Sequence, residues 1–171
     1  YTNPHEAVLS DALGMALTNW KREGLIGQIQ RVLDLAYGSG EASIAFSRWE
    51  GALHCDLQAS DPFTYEAYEK RLSKKAHRWS FEDIAGGVLD DLPVYDLVMG
   101  SFCLHLLDKS YIHTTLSALA RSSRLLVVLT PHKRPHIDKS TGWDQAGEVL
   151  HERVRVRLYV SRAARFAVVG G

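Results

Sequence analysis

The sequence has only two cysteines, Cys55 and Cys103, in 171 residues. Both lie in apolar, strand-like runs, and their number and separation make neither a metal-ligand motif nor the disulfide framework of a small secreted domain. They read as buried free thiols of a reducing compartment. No apolar stretch reaches the roughly 20 residues that span a bilayer, so no membrane segment is expected. The chain opens on Tyr1, and nothing in it resembles a signal peptide. An intracellular location, cytoplasmic or nuclear, is the expectation. An excess of one charge is also missing: 20 basic residues balance 20 acidic ones. The whole molecule therefore carries no strong pull toward nucleic acid or an anionic membrane, although a local basic patch stays open. Internal repeats and low-complexity linkers are absent too. The composition, 46% hydrophobic and 23% charged, is that of one soluble domain large enough to bury its own core.

Periodicity divides this chain into alternating helices and strands. Val8, Leu9, Ala12, Leu13, Ala16, Leu17 and Trp20 recur at helical spacing between Glu6 and Gln30, interrupted at Gly24 and Gly27. That predicts an N-terminal helical segment over residues 1–30, with the main domain over 31–171. Buried strands are expected at Arg31–Tyr37, Ala52–Ser60, Tyr95–Phe102 and Arg124–Thr130, the last being apolar enough for the centre of a parallel sheet. Helices are expected at Glu41–Trp49, Phe63–Lys74 and Ser110–Arg121. His77–Phe81 reads as a weak short strand, and Glu82–Leu92 as a loop with a turn of helix. At the end, "VRVRLYV" (Val154–Val160) and "RFAVVGG" lie too close together for a parallel crossover and imply an antiparallel hairpin.

The chemistry begins at "LDLAYGSGEAS", Leu33 to Ser43. A strand ends near Asp34, Gly38 and Gly40 permit a tight turn, and a helix starts near Glu41. Such a turn brings backbone N–H groups close to a ligand, and it also serves as a plain structural βα connection. The dinucleotide fingerprint G-x-G-x-x-G wants a third glycine where Ser43 stands, and it has no acid at the end of its first strand. A P-loop is excluded because no Gly-Lys-Ser/Thr follows.

The spacing D-x-x-x-G-x-G resembles that of the class I S-adenosylmethionine-dependent methyltransferases, a likeness that extends from about Arg31 to the C-terminus. The strings "WSFEDIA", "SF-LHLL" and "PHK-P" are similar to those of uncharacterised fungal methyltransferase-like proteins. The resemblance implies a Rossmann-like α/β fold: a seven-stranded, mostly parallel sheet with a C-terminal antiparallel hairpin and helices on both faces. It also implies S-adenosylmethionine as cofactor and no metal. On this reading Asp34, Ala36, Tyr37, Gly38 and Gly40 surround the methionine part of the cofactor. Ala36 departs from the glycine often found there, and Tyr37 reads equally as a second-layer aromatic.

Asp61, before Pro62 and about 20 residues past the glycines as a βαβ unit dictates, stands where the family places the ribose acid. It is also a good turn or cap residue, and Asp56, expected in mid-strand, is a weaker candidate. Asp83 and Ile84, with Glu82 as the alternative register and Phe81 nearby, stand where adenine is held. Ser101 and Phe102, beside Gly100, stand where the cofactor's ammonium is received.

A sulfonium methyl is already a strong electrophile, so the protein has chiefly to align the reactants and keep water out. A phenol, amine or carbon acceptor also calls for a base. His132, in "PHKRPH", and His105, in "LHLL", are the candidates. His105 reads equally as a structural histidine. The Pro131–His136 loop is either a solvated rigid loop or a cationic lip for an anionic acceptor, and Gly142, Trp143 and Asp144 could form part of a lid. A small-molecule acceptor is favoured over RNA, because no added binding domain is present and "GSFC" stands where base-amino methyltransferases have Asn-Pro-Pro-Tyr. The acceptor and the oligomeric state stay open. Two other classes stay open as well: a non-catalytic methyltransferase-like scaffold and, third, an NAD-binding oxidoreductase.

Overall fold

A computed structural model describes residues 4–35, 40–101, 103–104, 107–131, 133 and 136–163. Helix α1 (Pro4–Arg22) leads into β1 (Arg31–Leu35), α2 (Glu41–Arg48), β2 (Asp56–Ser60), α3 (Tyr65–Leu72), the short α4 (Phe81–Ala85) and β3 (Tyr95–Ser101). Next come α5 (Lys109–Ser122), β4 (Ser123–Thr130), β5 (Trp143–His151) and β6 (Val154–Ser161). Among the described residues the sheet has six strands in the order β2-β1-β3-β4-β6-β5. The first four run parallel, β6 lies antiparallel to β4, and β5 and β6 form an antiparallel hairpin.

Two apolar layers sandwich the sheet. Leu9, Leu13, Leu17 and Trp20 of α1 and Phe46 of α2 bury one face together with Val32, Leu97, Val127 and Leu158. Leu116 and Leu119 of α5 and Ile84 of α4 cover the other face, over Leu33, Leu35, Val98 and Leu126. This two-sided burial explains why β1, β3 and β4 are near-continuous apolar runs. The chain enters β1 through Asp96, whose carboxylate accepts from the amides of Gln30 and Arg31, both at 2.9 Å.

Several expectations are corrected here. The second strand begins at Asp56, because residues Glu50–Ala52 form a 3-10 turn. Asp56 is therefore its first residue and does not lie in its middle. His77–Phe81 contributes only an isolated parallel bridge, Ser60↔His77. The Ser80 hydroxyl and the Asp83 carboxylate form a capping box that starts α4 at Phe81 and ends any strand. Cys55 is only partly buried, its thiol donating to the Ile29 carbonyl at 3.0 Å, whereas Cys103 is buried.

The partner of β6 is the upstream strand β5, a segment for which the sequence pattern predicts no strand. As the edge strand it exposes Gln145, Glu148 and Leu150, so its apolar alternation is weak. The expected strand in "RFAVVGG" lies outside the described residues. Trp143 belongs to the core and not to a lid: it is 0% exposed and its indole N–H donates to the Leu116 carbonyl at 2.9 Å. At the β5 bulge Gly147 lies under Trp20, where an added Cβ would sit 2.7 Å from the indole nitrogen.

Candidate functional site

The carboxyl ends of β1, β2, β3 and β4 share one edge of the sheet, the edge at which open parallel α/β folds bind ligands. Register pairs Asp34 with Ala59 and Leu35 with both Ser60 and Gly100. Asp34, in the penultimate position of β1, and Asp61, just past β2, therefore stand on adjacent strands at the same end. Both are 0% exposed.

Asp34 lies in a polar pocket enclosed by apolar packing. Its Oδ2 accepts from the Ser43 hydroxyl at 2.6 Å, and the same Ser43 oxygen lies 3.0 Å from the Tyr68 hydroxyl. Ser43 has one hydroxyl proton and gives it to Asp34, so Tyr68 is the donor in the second bond whenever the carboxylate is ionised. Asp34 Oδ1 is buried and has no hydrogen-bond partner among the described residues. Burial raises this carboxyl from the ordinary 3.8 to about 7, against the lowering effect of Ser43; the negative charges of Glu41 and Asp61 raise it further. Tyr68 is raised as well, first by burial, with Asp34 adding to the rise and the Ser43 bond opposing it.

The turn that follows is closed from above by α3. Gly40 opens α2 at φ +86°, and a Cβ there would stand 2.7 Å from Leu72 Cδ1 and 2.8 Å from the Tyr68 ring. This glycine is needed both for its left-handed backbone and for the approach of α3. Ala36, Tyr37 and Gly38 lie outside the described residues, as do Phe102, His105 and His132.

Asp61 organises the start of α3. Its Oδ1 accepts from the amides of Phe63 and Thr64, both at 2.8 Å, and its Oδ2 accepts from the Thr64 hydroxyl. Its own amide donates to the His77 carbonyl at 2.9 Å. The turn-capping role that the Asp-Pro dipeptide suggests is thus present in the geometry. Pro62 is half-buried, while Phe63 is 79% exposed at the same edge. Asp83 is exposed and its Oδ2 accepts from the Ser80 amide at 2.9 Å. Ile84 next to it is 1% exposed and packs in the core. Ser101 ends β3 opposite Leu129. Cys103, just beyond, is 1% exposed with its thiol 3.6 Å from the Leu35 carbonyl, and burial pushes that thiol well up.

Sequence reading missed Ser43, Tyr68 and Arg157. Ser43 carried a signal, since it occupies the third-glycine position of the dinucleotide fingerprint; Tyr68 carried none, because only folding brings α3 over the turn. Arg157, on β6, is 9% exposed, pairs with Glu148 at 3.0 Å and donates to the Lys133 carbonyl at 2.8 Å. It fixes the backbone of the Pro131–His136 loop at Lys133. Among the described residues no group of His, Cys, Asp and Glu could hold a metal ion, and no described helix is long and apolar enough to cross a membrane.

With this geometry in place, solved structures identify the fold. The chain superposes on a magnesium protoporphyrin IX methyltransferase from Synechocystis PCC 6803 with bound SAM (TM-score 0.60, 17% identity, 92% of this chain and 79% of that one). It superposes equally on a SAM-dependent methyltransferase from Aquifex aeolicus (TM-score 0.61, 14% identity, 92% and 93%). An O-methyltransferase family protein from Burkholderia thailandensis gives a TM-score of 0.65 at 18% identity over 92% of this chain, which spans 55% of that protein's length. The architecture is therefore the α/β fold of the SAM-dependent methyltransferases. No protein-family model matches the chain. An uncharacterised protein of Schizosaccharomyces pombe is 34% identical over 77% of this chain and 71% of its own length; the chain belongs to the family of that fungal protein.

Proposed function

We propose that the protein is a methyltransferase that uses S-adenosylmethionine and passes the methyl group to a small-molecule acceptor. One observation carries this reading. Two buried carboxylates, Asp34 and Asp61, stand side by side at the carboxyl ends of β1 and β2, beside a glycine turn that opens α2, and one oxygen of Asp34 has no partner among the described residues. A buried acceptor left unmatched is unfavourable by about 1–3 kcal/mol or more, and a cationic ligand carrying N–H donors would satisfy it. The solved relatives of the same fold include one with bound SAM and one with bound SAH.

Bound at this edge, the cofactor would supply an electrophilic methyl carbon on a sulfonium. The work left to the chain is placement. Asp34 and the turn through Ala36, Tyr37, Gly38 and Gly40 would hold the amino-acid end together with Ser101 and Phe102. Asp61 and Pro62 would face the ribose, with Ile84 and Asp83 toward the adenine. On this reading His132, or His105 if the acceptor enters from the β3 side, removes the acceptor's proton. The Ser60↔His77 bridge would be the remnant of a seventh strand outside β2. The two free cysteines support a reducing intracellular location, cytoplasmic or nuclear.

One observation favours a second reading, a non-catalytic module on the same fold. Asp61 already spends its carboxylate on the α3 turn, and Tyr68 packs tightly over Gly40. Calorimetric titration with S-adenosylmethionine, S-adenosylhomocysteine and NAD in parallel tests both. Micromolar binding of the first two without NAD supports the methyl-transfer reading, binding without turnover supports the module, and NAD binding alone overturns both. Asp61→Ala is expected to weaken cofactor affinity roughly tenfold to a hundredfold; a lowered melting temperature with unchanged affinity would leave Asp61 as a turn residue only.

A further inference from the structure

A cavity of about 550 Å³ opens at the carboxyl edge between the start of α1 and the β5–β6 turn, lined by His5, Val8, Pro131, Glu152, Arg153 and Val154. That is the size of pocket that encloses a small organic ligand. Its floor is fixed by the sheet: Pro131 directly follows Thr130, the last residue of β4, and Thr130 pairs with Arg155 next to Val154. The strand order puts β4 two places from β1, roughly 10 Å sideways from Asp34. Asp34 bonds to α2, and α2 packs with α1, so the cavity and the carboxyl share one end and one face of the sheet.

The turn that walls this cavity holds an independent sign of use. His151 pairs with Val154, leaving Glu152 and Arg153 as a two-residue hairpin loop, with φ of +45° and +70°. Both lie in the left-handed region, where Asn-Gly is the favoured pair and longer side chains are strained by about 1–2 kcal/mol each. A relaxed Asn-Gly turn would remove most of one wall. Side chains kept in strained backbone at a pocket rim are an outlier from which function can be inferred.

The chemistry of the lining selects the ligand. Val8, Pro131 and Val154 are apolar, and Glu152 and Arg153 cancel in charge, so the cavity lacks the surplus of cations a phosphate backbone requires. The larger cleft, about 640 Å³ around Lys21, Trp49, His54 and Asp56, sits at the amino end of the strands, away from the turn. Resting on the methyl-transfer reading, we propose that the α1/β5–β6 cavity is the acceptor site and takes a net-neutral, apolar small molecule of one or two fused rings, not RNA.

Saturation-transfer NMR with indole as the probe, beside an SAH titration by calorimetry, tests the proposal. The intact protein is expected to transfer saturation to indole; Val8→Trp, which fills the cavity, should abolish the transfer and leave SAH binding intact. The double substitution Glu152→Asn with Arg153→Gly relaxes the turn, so it should melt at a higher temperature than the parent and yet bind indole at least tenfold more weakly. Equal indole binding in that variant, or none in the parent, overturns the proposal. So does a ten-nucleotide RNA that displaces indole. Indole binding without SAH binding would keep the pocket and discard the methyl-transfer reading, so the two failures are separable.

Discussion

At the scale of the residue, Asp34 is the group whose chemistry most depends on its surroundings. Its carboxyl is raised in the fold to about 7 from 3.8, so the folded state holds this proton more tightly than the unfolded chain does. Stability from this group is fully present below about pH 4 and is lost as pH rises through about 7, an effect on the order of 4 kcal/mol. Glu148, held low chiefly by its bond to Arg157, acts in the opposite sense, and only below the ordinary carboxylate range. Urea unfolding of the ligand-free protein between pH 4 and 8 should therefore show stability falling across that interval, and Asp34→Asn should flatten the fall. A slope unchanged by Asp34→Asn would mean that another group is responsible. Tyr68→Phe keeps the ring over Gly40 but withdraws the donor to Ser43. The Asp34 midpoint, read from its carboxyl carbon by NMR, should move up further, as it should in Ser43→Ala. The two substitutions together should do little more than Ser43→Ala alone, because the hydroxyl of Tyr68 reaches Asp34 only through Ser43.

At the scale of the element, what could be read from the sequence depended on how local the cause was. β1, β3 and β4 were legible because both of their faces are buried, which makes each a near-continuous apolar run. The edge strand β5 was not, because one side of it meets solvent and the bulge at Gly147 breaks its alternation. The α4 start was missed for a related reason. Trp79 and Phe81 look like strand residues, whereas the Ser80–Asp83 capping box that decides the matter depends on two polar side chains three positions apart. The candidate site divides in the same way. The acids and glycines at strand ends follow from βαβ spacing, but the Tyr68–Ser43–Asp34 chain is tertiary. Ser80→Ala should lower stability by about 1 kcal/mol through loss of the cap, seen as a lower urea midpoint with unchanged slope. It removes the hydroxyl that accepts from the Asp83 amide but keeps the Ser80 amide that donates to the Asp83 carboxylate. If Asp83 faces adenine, SAH affinity should fall in Asp83→Ala by more than in Ser80→Ala.

At the scale of the whole molecule, helix α1 (Pro4–Arg22) is structurally part of the sheet's covering layer. Leu9, Leu13, Leu17 and Trp20 are each at most 4% exposed and pack in one cluster with Val32, Val127, Val156 and Leu158 from three different strands. Three buried leucines and a tryptophan contribute roughly 1.5–3 kcal/mol apiece, a sum comparable with the 5–15 kcal/mol by which a domain of this kind is stable at all. The same helix supplies Val8 and His5 to the cavity at the carboxyl edge, so covering the core and shaping a ligand site are done by one element. A chain beginning at Gly24 is therefore expected to lose cooperative unfolding and dispersed amide resonances, rather than to behave as an intact sheet domain relieved of an appendage. Adding back a peptide of residues 1–23 should restore dispersion if the loss is of packing alone. A truncated chain that folds cooperatively by itself would show that α1 is an accessory lid, and would shift the stabilising role to the contacts of β5 and β6.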